Sequence, residues 1–186
     1  MEVGVDEAGR GCWAGPVFAA AVIWSDGVSP MGITDSKKLS EKQRDTLRRY
    51  IEENAIEWGV GMSTPQEIDD LNILNATYLA MHRALDKINN RISSILVDGN
   101  RFNGYNNIEY ECIVKGDTKC INIAAASILA KTHKDEYTKK LCEDIPELDI
   151  KYGWLNNKCY GTKVHREGIE KYGITDYHRK SYKPCK

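Results

Sequence analysis

The chain has 186 residues, 41% of them hydrophobic and 28% charged, with a formal net charge of −1 and a mean hydropathy of −0.51. That length fits one domain, or one domain with a small appendage, burying roughly 70% of the unfolded chain's surface without disulfides or a structural metal. The composition excludes a disordered chain, and no apolar run approaches the length that spans a bilayer.

Residues 2–6 read as a short strand in which Val3 and Val5 alternate with Gly4 and Asp6. A glycine-rich turn, Gly9-Arg10-Gly11, follows. Residues 16–24 form a second strand, so apolar that both its faces are expected to be buried. Ser40-x-x-Gln43 is a capping box that opens a helix with Leu47, Tyr50 and Ile51 on one face. Residues 57–62 supply a third strand, and the three strands together predict an antiparallel meander. Pro65 introduces a helix over 66–71. A longer one over 74–88 carries Leu74, Tyr78, Met81 and Leu85 at helical spacing. Strands return at 92–97 and 109–114. Residues 121–141 read as a long helix whose Ala124-Ala125-Ala126 run permits close packing, and 163–172 as a last helix stopped by Gly173. Residues 103–107 are a polar loop, and 151–161 read as an irregular joint. Strands first, then helix and strand in alternation, predict an α/β fold around a mixed sheet.

The small net charge hides an asymmetry. Residues 151–186 hold nine Lys and Arg against three Asp and Glu, a net of +6, while the other 150 residues carry −7. An acidic body with a basic tail suits a protein that gathers metal on one part and a polyanion on another. The six cysteines (12, 112, 120, 142, 159 and 185) form no C-x-x-C pair, which argues against a zinc ribbon. With no basic-then-apolar leader, the expectation is six free thiols in a reducing, cytoplasmic setting.

The chemistry is carried by acids at strand ends. Asp6 and Glu7 close the first strand, Asp98 closes a later one, and Asp117 starts the long helix region. Carboxylates converging there would repel one another unless hard divalent cations lay between them. Two such cations can activate water and stabilise a leaving oxygen in phosphodiester cleavage. One geometric condition attaches. Successive strand residues point to opposite faces, so Asp6 and Glu7 share a site only if the strand ends between them and turns at Ala8-Gly9.

Five segments stand in order: Val5-Asp6-Glu7-Ala8-Gly9-Arg10-Gly11, Asp35-Ser36-Lys37-Lys38-Leu39, Val97-Asp98-Gly99, Lys115-Gly116-Asp117, and Ala124-Ala125-Ala126-Ser127-Ile128-Leu129-Ala130-Lys131. Together they resemble the type 2 ribonucleases H, the ribonuclease HII family, over nearly the whole chain. The resemblance implies a ribonuclease H-like fold: a mixed five-stranded sheet flanked by helices, with a catalytic domain over 1–150 and a small basic helical extension over 151–186. It implies hydrolysis of the RNA strand of RNA–DNA hybrids and nicking 5′ of single ribonucleotides in duplex DNA, leaving 3′-hydroxyl and 5′-phosphate ends, a role in ribonucleotide excision repair. The family's catalytic and metal-binding acids map onto Asp6, Glu7, Asp98 and Asp117, with two Mg²⁺ or Mn²⁺ ions expected. Its glycine-arginine-glycine motif maps onto Gly9, Arg10 and Gly11, placed to reach the 2′-hydroxyl and an adjacent phosphate. Its substrate-sensing tyrosine maps onto Tyr160, in Lys158-x-Tyr160-Gly161-Thr162-Lys163. Lys37, Lys38, Lys131 and Lys163 are candidate phosphate contacts.

Three departures stand out. Cys12-Trp13 replaces a proline and a small aliphatic residue, Cys159 replaces a glycine and so restricts the tyrosine loop, and Thr132-His133-Lys134-Asp135 lacks the usual arginine. A monomer without a sliding-clamp motif after Ser181 is expected, as is the absence of the type 3 enzymes' N-terminal substrate-binding domain. Two other readings stay open: a nucleic-acid-binding module whose acids are helix caps, and a ribonuclease H-fold enzyme that cuts DNA.

Overall fold

The computed structural model describes residues 1–186. Five strands, β1 (Glu2–Ala8), β2 (Val17–Ile23), β3 (Glu57–Ser63), β4 (Ser94–Asp98) and β5 (Glu109–Ile113), form one mixed sheet in the order β3-β2-β1-β4-β5. The expected meander is present: β1 with β2 and β2 with β3 are antiparallel, while β4 and β5 join parallel to β1. Every residue of β2 is buried, because helices cover both faces of the sheet at its centre.

The helices are α1 (Glu41–Asn54), α2 (Pro65–Leu71), α3 (Ile73–Leu85), α4 (Ile121–Asp144), α5 (Pro146–Tyr152), α6 (Trp154–Asn157) and α7 (Lys163–Tyr172). The capping box at Ser40 is complete, with Gln43 returning the bond to the Ser40 N–H at 2.9 Å. On one face Val3, Val5, Ile95 and Val97 pack against Ala80, Met81 and Ala84 of α3. On the other, Ala20 and Val22 pack against Ala124–Ala126, Ile128 and Leu129 of α4 and Leu47 and Ile51 of α1. The short alanine side chains let the long helix lie close to the sheet. No helix is long and apolar enough to cross a membrane.

Two expectations are corrected. β1 does not end at Asp6; it runs to Ala8, held by β2 through Glu7↔Ala19 and Ala8↔Phe18. Residues 151–161 are not an irregular joint. Pro146 starts α5, Gly153 at φ +67° ends it, and α6 follows at once. These helices are seven and four residues long, too short for a readable period. They belong to a third core of Cys12, Ala14, Cys142, Leu148, Tyr152, Trp154 and Cys159, which joins the glycine-rich turn to the C-terminal segment.

Candidate active site

The parallel pairing of β1 with β4 sets the site. Val5 lies opposite Val97, so Asp6 and Asp98 follow as matching acids on the face toward α4. Asp6 is 5% exposed, and the Ser127 hydroxyl of α4 approaches it. Ser127 is itself paired with the Ser36 hydroxyl at 3.0 Å. Asp117 does not begin α4. It sits 6% exposed in a separate 3-10 turn, Gly116–Thr118, entered through Lys115 at φ +56°. The Gly116 N–H donates to Asp98 Oδ1 at 2.7 Å and ties that turn to the end of β4.

Glu7 reaches the cluster by another route. Because β1 continues through it, its side chain leaves the opposite face from Asp6. β4 pairs with β1 only as far as Val5, so a notch opens beyond its end. Glu7 and Asp98 share this notch, a cleft of about 390 Å³ lined also by Arg10, Gly99, Asn100 and Arg101. Arg10 Nη1 stands 3.4 Å from Glu7 Oε1. Glu7 and Asp98 meet in the notch, and Asp6 feels both charges, although the strand does not turn between Asp6 and Glu7.

Electrostatics bind the group together. Burial, then the charges of Glu7 and Asp98, push Asp6 well above the usual carboxylate range. Burial also raises Glu7, with Arg10 opposing and Asp98 adding to the rise. Asp117 is raised by burial, then by Asp35 and Asp98. Lys37 favours the ionised forms of both Glu7 and Asp117. No three acidic, histidine or cysteine side chains are drawn to chelating distance. Asp6 Oδ1 accepts from the Glu7 N–H at 2.7 Å instead, and Asp98 Oδ1 from the Gly116 N–H. An all-oxygen donor set under mutual repulsion fits a hard divalent cation, whose charge would draw these carboxylates inward.

The glycine-arginine-glycine turn and the tyrosine loop form one unit. Gly9 has φ +95°, a conformation that L side chains rarely adopt, and a Cβ there would also lie 2.9 Å from Lys134 Cδ. Cys12 pairs with Tyr160 in an isolated antiparallel bridge, and the Trp13 N–H donates to the Cys159 carbonyl at 2.9 Å. Tyr160 is 39% exposed, and its ring faces Gly11. Lys134 and Lys131 stand 5.3 and 5.9 Å from its centroid. Cys159 adopts φ +68°, and Lys158 before it +51°, so the cysteine takes the left-handed backbone that a glycine favours. The Lys158 carbonyl accepts from buried Lys134 Nζ at 3.0 Å, which helps hold that backbone.

Arg179, 0% exposed, fastens the unit from below. Its Nε donates to the Gly15 carbonyl at 3.0 Å and its Nη1 to the Arg10 carbonyl at 2.9 Å. The Tyr182 hydroxyl donates to that same Arg10 carbonyl at 2.6 Å. Among the lysines singled out in the sequence, Lys37 lies at the acids and Lys131 beside Tyr160, bonded to Asp135 at 2.8 Å. Lys38 is exposed with no partner in the site. Lys163 is 87% exposed on α7, 3.7 Å from Glu167. Sequence reasoning missed Asp35, Ser127, Lys134 and Arg179. The first three lie inside segments already singled out, but nothing in the order of residues says that Arg179 is buried.

A mixed sheet in this order, with acids gathered at the ends of its two central parallel strands, defines a ribonuclease H-like α/β enzyme. The family model described as ribonuclease HII matches residues 3–185, and the chain belongs to the ribonuclease HII family. It is an endonuclease of the ribonuclease H class. The ribonuclease HII of Parabacteroides distasonis is 53% identical over 182 residues, 98% of this chain and 89% of that one. Three solved structures share the fold. Ribonuclease H2 from Pyrococcus horikoshii superposes with a TM-score of 0.78 at 24% identity, covering 99% of this chain and 94% of its own. The PCNA:RNase HII complex from Archaeoglobus fulgidus gives 0.75 at 24%, covering 98% and 95%. Bst-RNase HIII in complex with Mn²⁺ gives 0.74 at 17%, covering 99% and 67%.

Proposed function

We propose that the protein hydrolyses the RNA strand of RNA–DNA hybrids and nicks 5′ of single ribonucleotides embedded in duplex DNA, using two divalent cations held by Asp6, Glu7, Asp98 and Asp117. The observation that carries this reading is the placement of two sets of groups at one end of the sheet. Four mutually repelling acids adjoin a turn and a tyrosine, Gly9–Gly11 and Tyr160, that face each other across Gly11. Mn²⁺ in the structural neighbour Bst-RNase HIII supports Mg²⁺ or Mn²⁺ here.

When bound, the ions supply Lewis acidity toward an attacking water and the departing oxygen. The chain's own residues do the positioning. Gly9, Arg10 and Gly11 bring backbone groups and one cation to the sugar and its phosphate, and Tyr160 closes from the other side. Water's oxygen bonds to phosphorus as the bond from phosphorus to the 3′-oxygen breaks. The products are a 3′-hydroxyl and a 5′-phosphate. Lys37 and Lys131 serve as phosphate contacts. Lys38 and Lys163 contribute at longer range, through the field of the basic extension over 151–186. The catalytic body over 1–150 and that extension act together, since Tyr160 comes from the second and Gly11 from the first. We also propose a monomer with no recognisable sliding-clamp motif after Ser181.

The test compares an RNA–DNA hybrid, a duplex with one ribonucleotide, and an all-DNA duplex, with Mn²⁺, with Mg²⁺ and with chelator. Metal-dependent cleavage of the first two alone supports the proposal. Cleavage of the all-DNA duplex, or binding without cleavage, overturns it.

A further inference from the structure

We infer that Trp13, Arg166 and Lys183 form a second contact site for the sugar-phosphate backbone of a duplex, beside the turn that faces the ribonucleotide. The inference rests on the nucleic-acid reading above but not on catalysis. Three elements meet there: the segment after Gly11, the face of α7 carrying Arg166, Ile169 and Glu170, and the C-terminal 3-10 turn Lys183–Cys185. They leave an open hollow of about 350 Å³ lined by Trp13, Arg166, Ile169, Glu170, Lys183 and Pro184.

The indole is fixed from beneath. A Cβ on Gly161 would fall 2.0 Å from its ring, so only glycine there lets the ring seat. The Trp13 N–H is bonded to the Cys159 carbonyl, and the Trp13 carbonyl accepts from the Arg179 N–H at 2.8 Å. The ring is therefore held by the same backbone that presents Tyr160, and it is only partly covered.

The cations around it are free. On the same extension Lys163 stands 3.7 Å from Glu167 and Lys180 3.0 Å from Asp176, each one turn away. Arg166 and Lys183 are exposed and have no carboxylate partner. The Arg166 guanidinium lies 5.9 Å from the Trp13 ring centroid. Glu170 is the one acid on the rim. An anchored aromatic flanked by two unpaired cations suits a polyanion whose sugars pack on the ring while its phosphates meet the charges. An acidic peptide would meet the same cations, but it carries no sugar ring to use the indole, so the duplex is favoured.

The test uses the full chain, an all-DNA duplex and chelator, so that neither metal nor turnover enters. Arg166→Gln with Lys183→Gln changes two exposed side chains, and Trp13→Leu removes the ring; thermal melting checks that each variant folds. The double charge variant is expected to lower the log–log salt slope of binding by about 2, near 0.9 for each lost phosphate contact. Trp13→Leu is expected to weaken affinity about fivefold at an unchanged slope, as loss of a stacking surface does. Duplex binding is also expected to change tryptophan emission in the unaltered protein and not in Trp13→Leu.

A double variant with the slope and affinity of the unaltered protein overturns the inference, even if ribonucleotide nicking is intact. So does a tryptophan signal that answers a glutamate-rich peptide and not the duplex. A reduced slope in a protein that cuts no ribonucleotide substrate would keep this site and remove the enzymatic reading.

Discussion

The N–H of Gly116 donates to Asp98 Oδ1 across 2.7 Å, so the end of β4 and the turn bearing Asp117 are held as one piece before any cation arrives. Asp98→Asn keeps the shape and the acceptor oxygen but removes a charge that raises Asp6, Glu7 and Asp117. Turnover is expected to fall by more than about 100-fold, the loss already seen when only an outer partner of a metal ligand is removed. Without metal the melting temperature should rise by about 2–4 °C, as about 1 kcal/mol of repulsion is relieved in a chain of this size. Rate assays with parallel melting curves check both. Because burial and neighbouring acids raise Asp6, Glu7 and Asp117, metal affinity should also weaken as pH falls, and binding should release protons.

Tyr160 is exposed enough to meet a ligand yet fixed by its bridge to Cys12. Tyr160→Phe should cost about 1 kcal/mol of transition-state stabilisation, one hydrogen bond's worth. Tyr160→Ala should cost considerably more. Both losses should be larger on a single embedded ribonucleotide than on a long hybrid, where neighbouring sugars help set the register. Turnover of both variants on both substrates measures this. Equal rates for Tyr160→Ala and the unaltered enzyme on the single ribonucleotide would make it a packing residue.

Arg179 is a buried cation whose donors meet carbonyls and a hydroxyl and no acid, and its Nη2 has no partner. Arg179→Met should destabilise the fold by about 3 kcal/mol, the upper range for charged hydrogen bonds, and raise KM by loosening Arg10. Urea unfolding and steady-state kinetics test the two halves separately. Unchanged stability would contradict this fastening of the Arg10 turn by Arg179.

Two buried histidines predict a stability slope in acid. The Thr175 N–H donates to His178 Nδ1 at 2.9 Å, so His178 carries its proton on Nε2 and donates to His165 Nε2 at 3.1 Å. His165 Nδ1 then donates to the Tyr160 carbonyl at 3.0 Å. Burial, then His165, lowers His178 to about 4. Between that value and the unfolded value of about 6.5, the unfolded state holds a proton that the folded state lacks. His178 should therefore contribute a loss of stability as pH drops through this window, about 1.4 kcal/mol per pH unit, opposed by the raised carboxylates of Asp6, Glu7 and Asp117. His178→Gln should flatten that slope in urea titrations across pH.

The sheet was legible because its strands announce themselves: Val3 and Val5 alternate, and residues 17–23 are wholly apolar. The capping box at Ser40 and the proline at 65 marked helix starts through chemistry that is local in sequence. The four acids could be named as a group from their segments, but their geometry could not. Nothing in residues 6–8 shows that the strand continues through Glu7, because that depends on its pairing with Ala19 and Phe18 of β2. The helices over 146–157 were missed because seven and four residues carry no period. Arg179 looked like one more charge in a basic tail, since its burial is decided by the Gly15 and Arg10 carbonyls, more than 160 positions away in the chain.

The central claim is that the four acids and the Gly9–Tyr160 unit together cut at a ribonucleotide. Single-turnover cleavage of a duplex with one ribonucleotide, with the cut mapped and the ends identified, tests it most directly. The unaltered protein with Mn²⁺ or Mg²⁺ should give one nick on the 5′ side of the ribonucleotide, with 3′-hydroxyl and 5′-phosphate ends, and Asp6→Asn should give none. A nick elsewhere, other end chemistry, or undiminished cutting by Asp6→Asn would contradict the account.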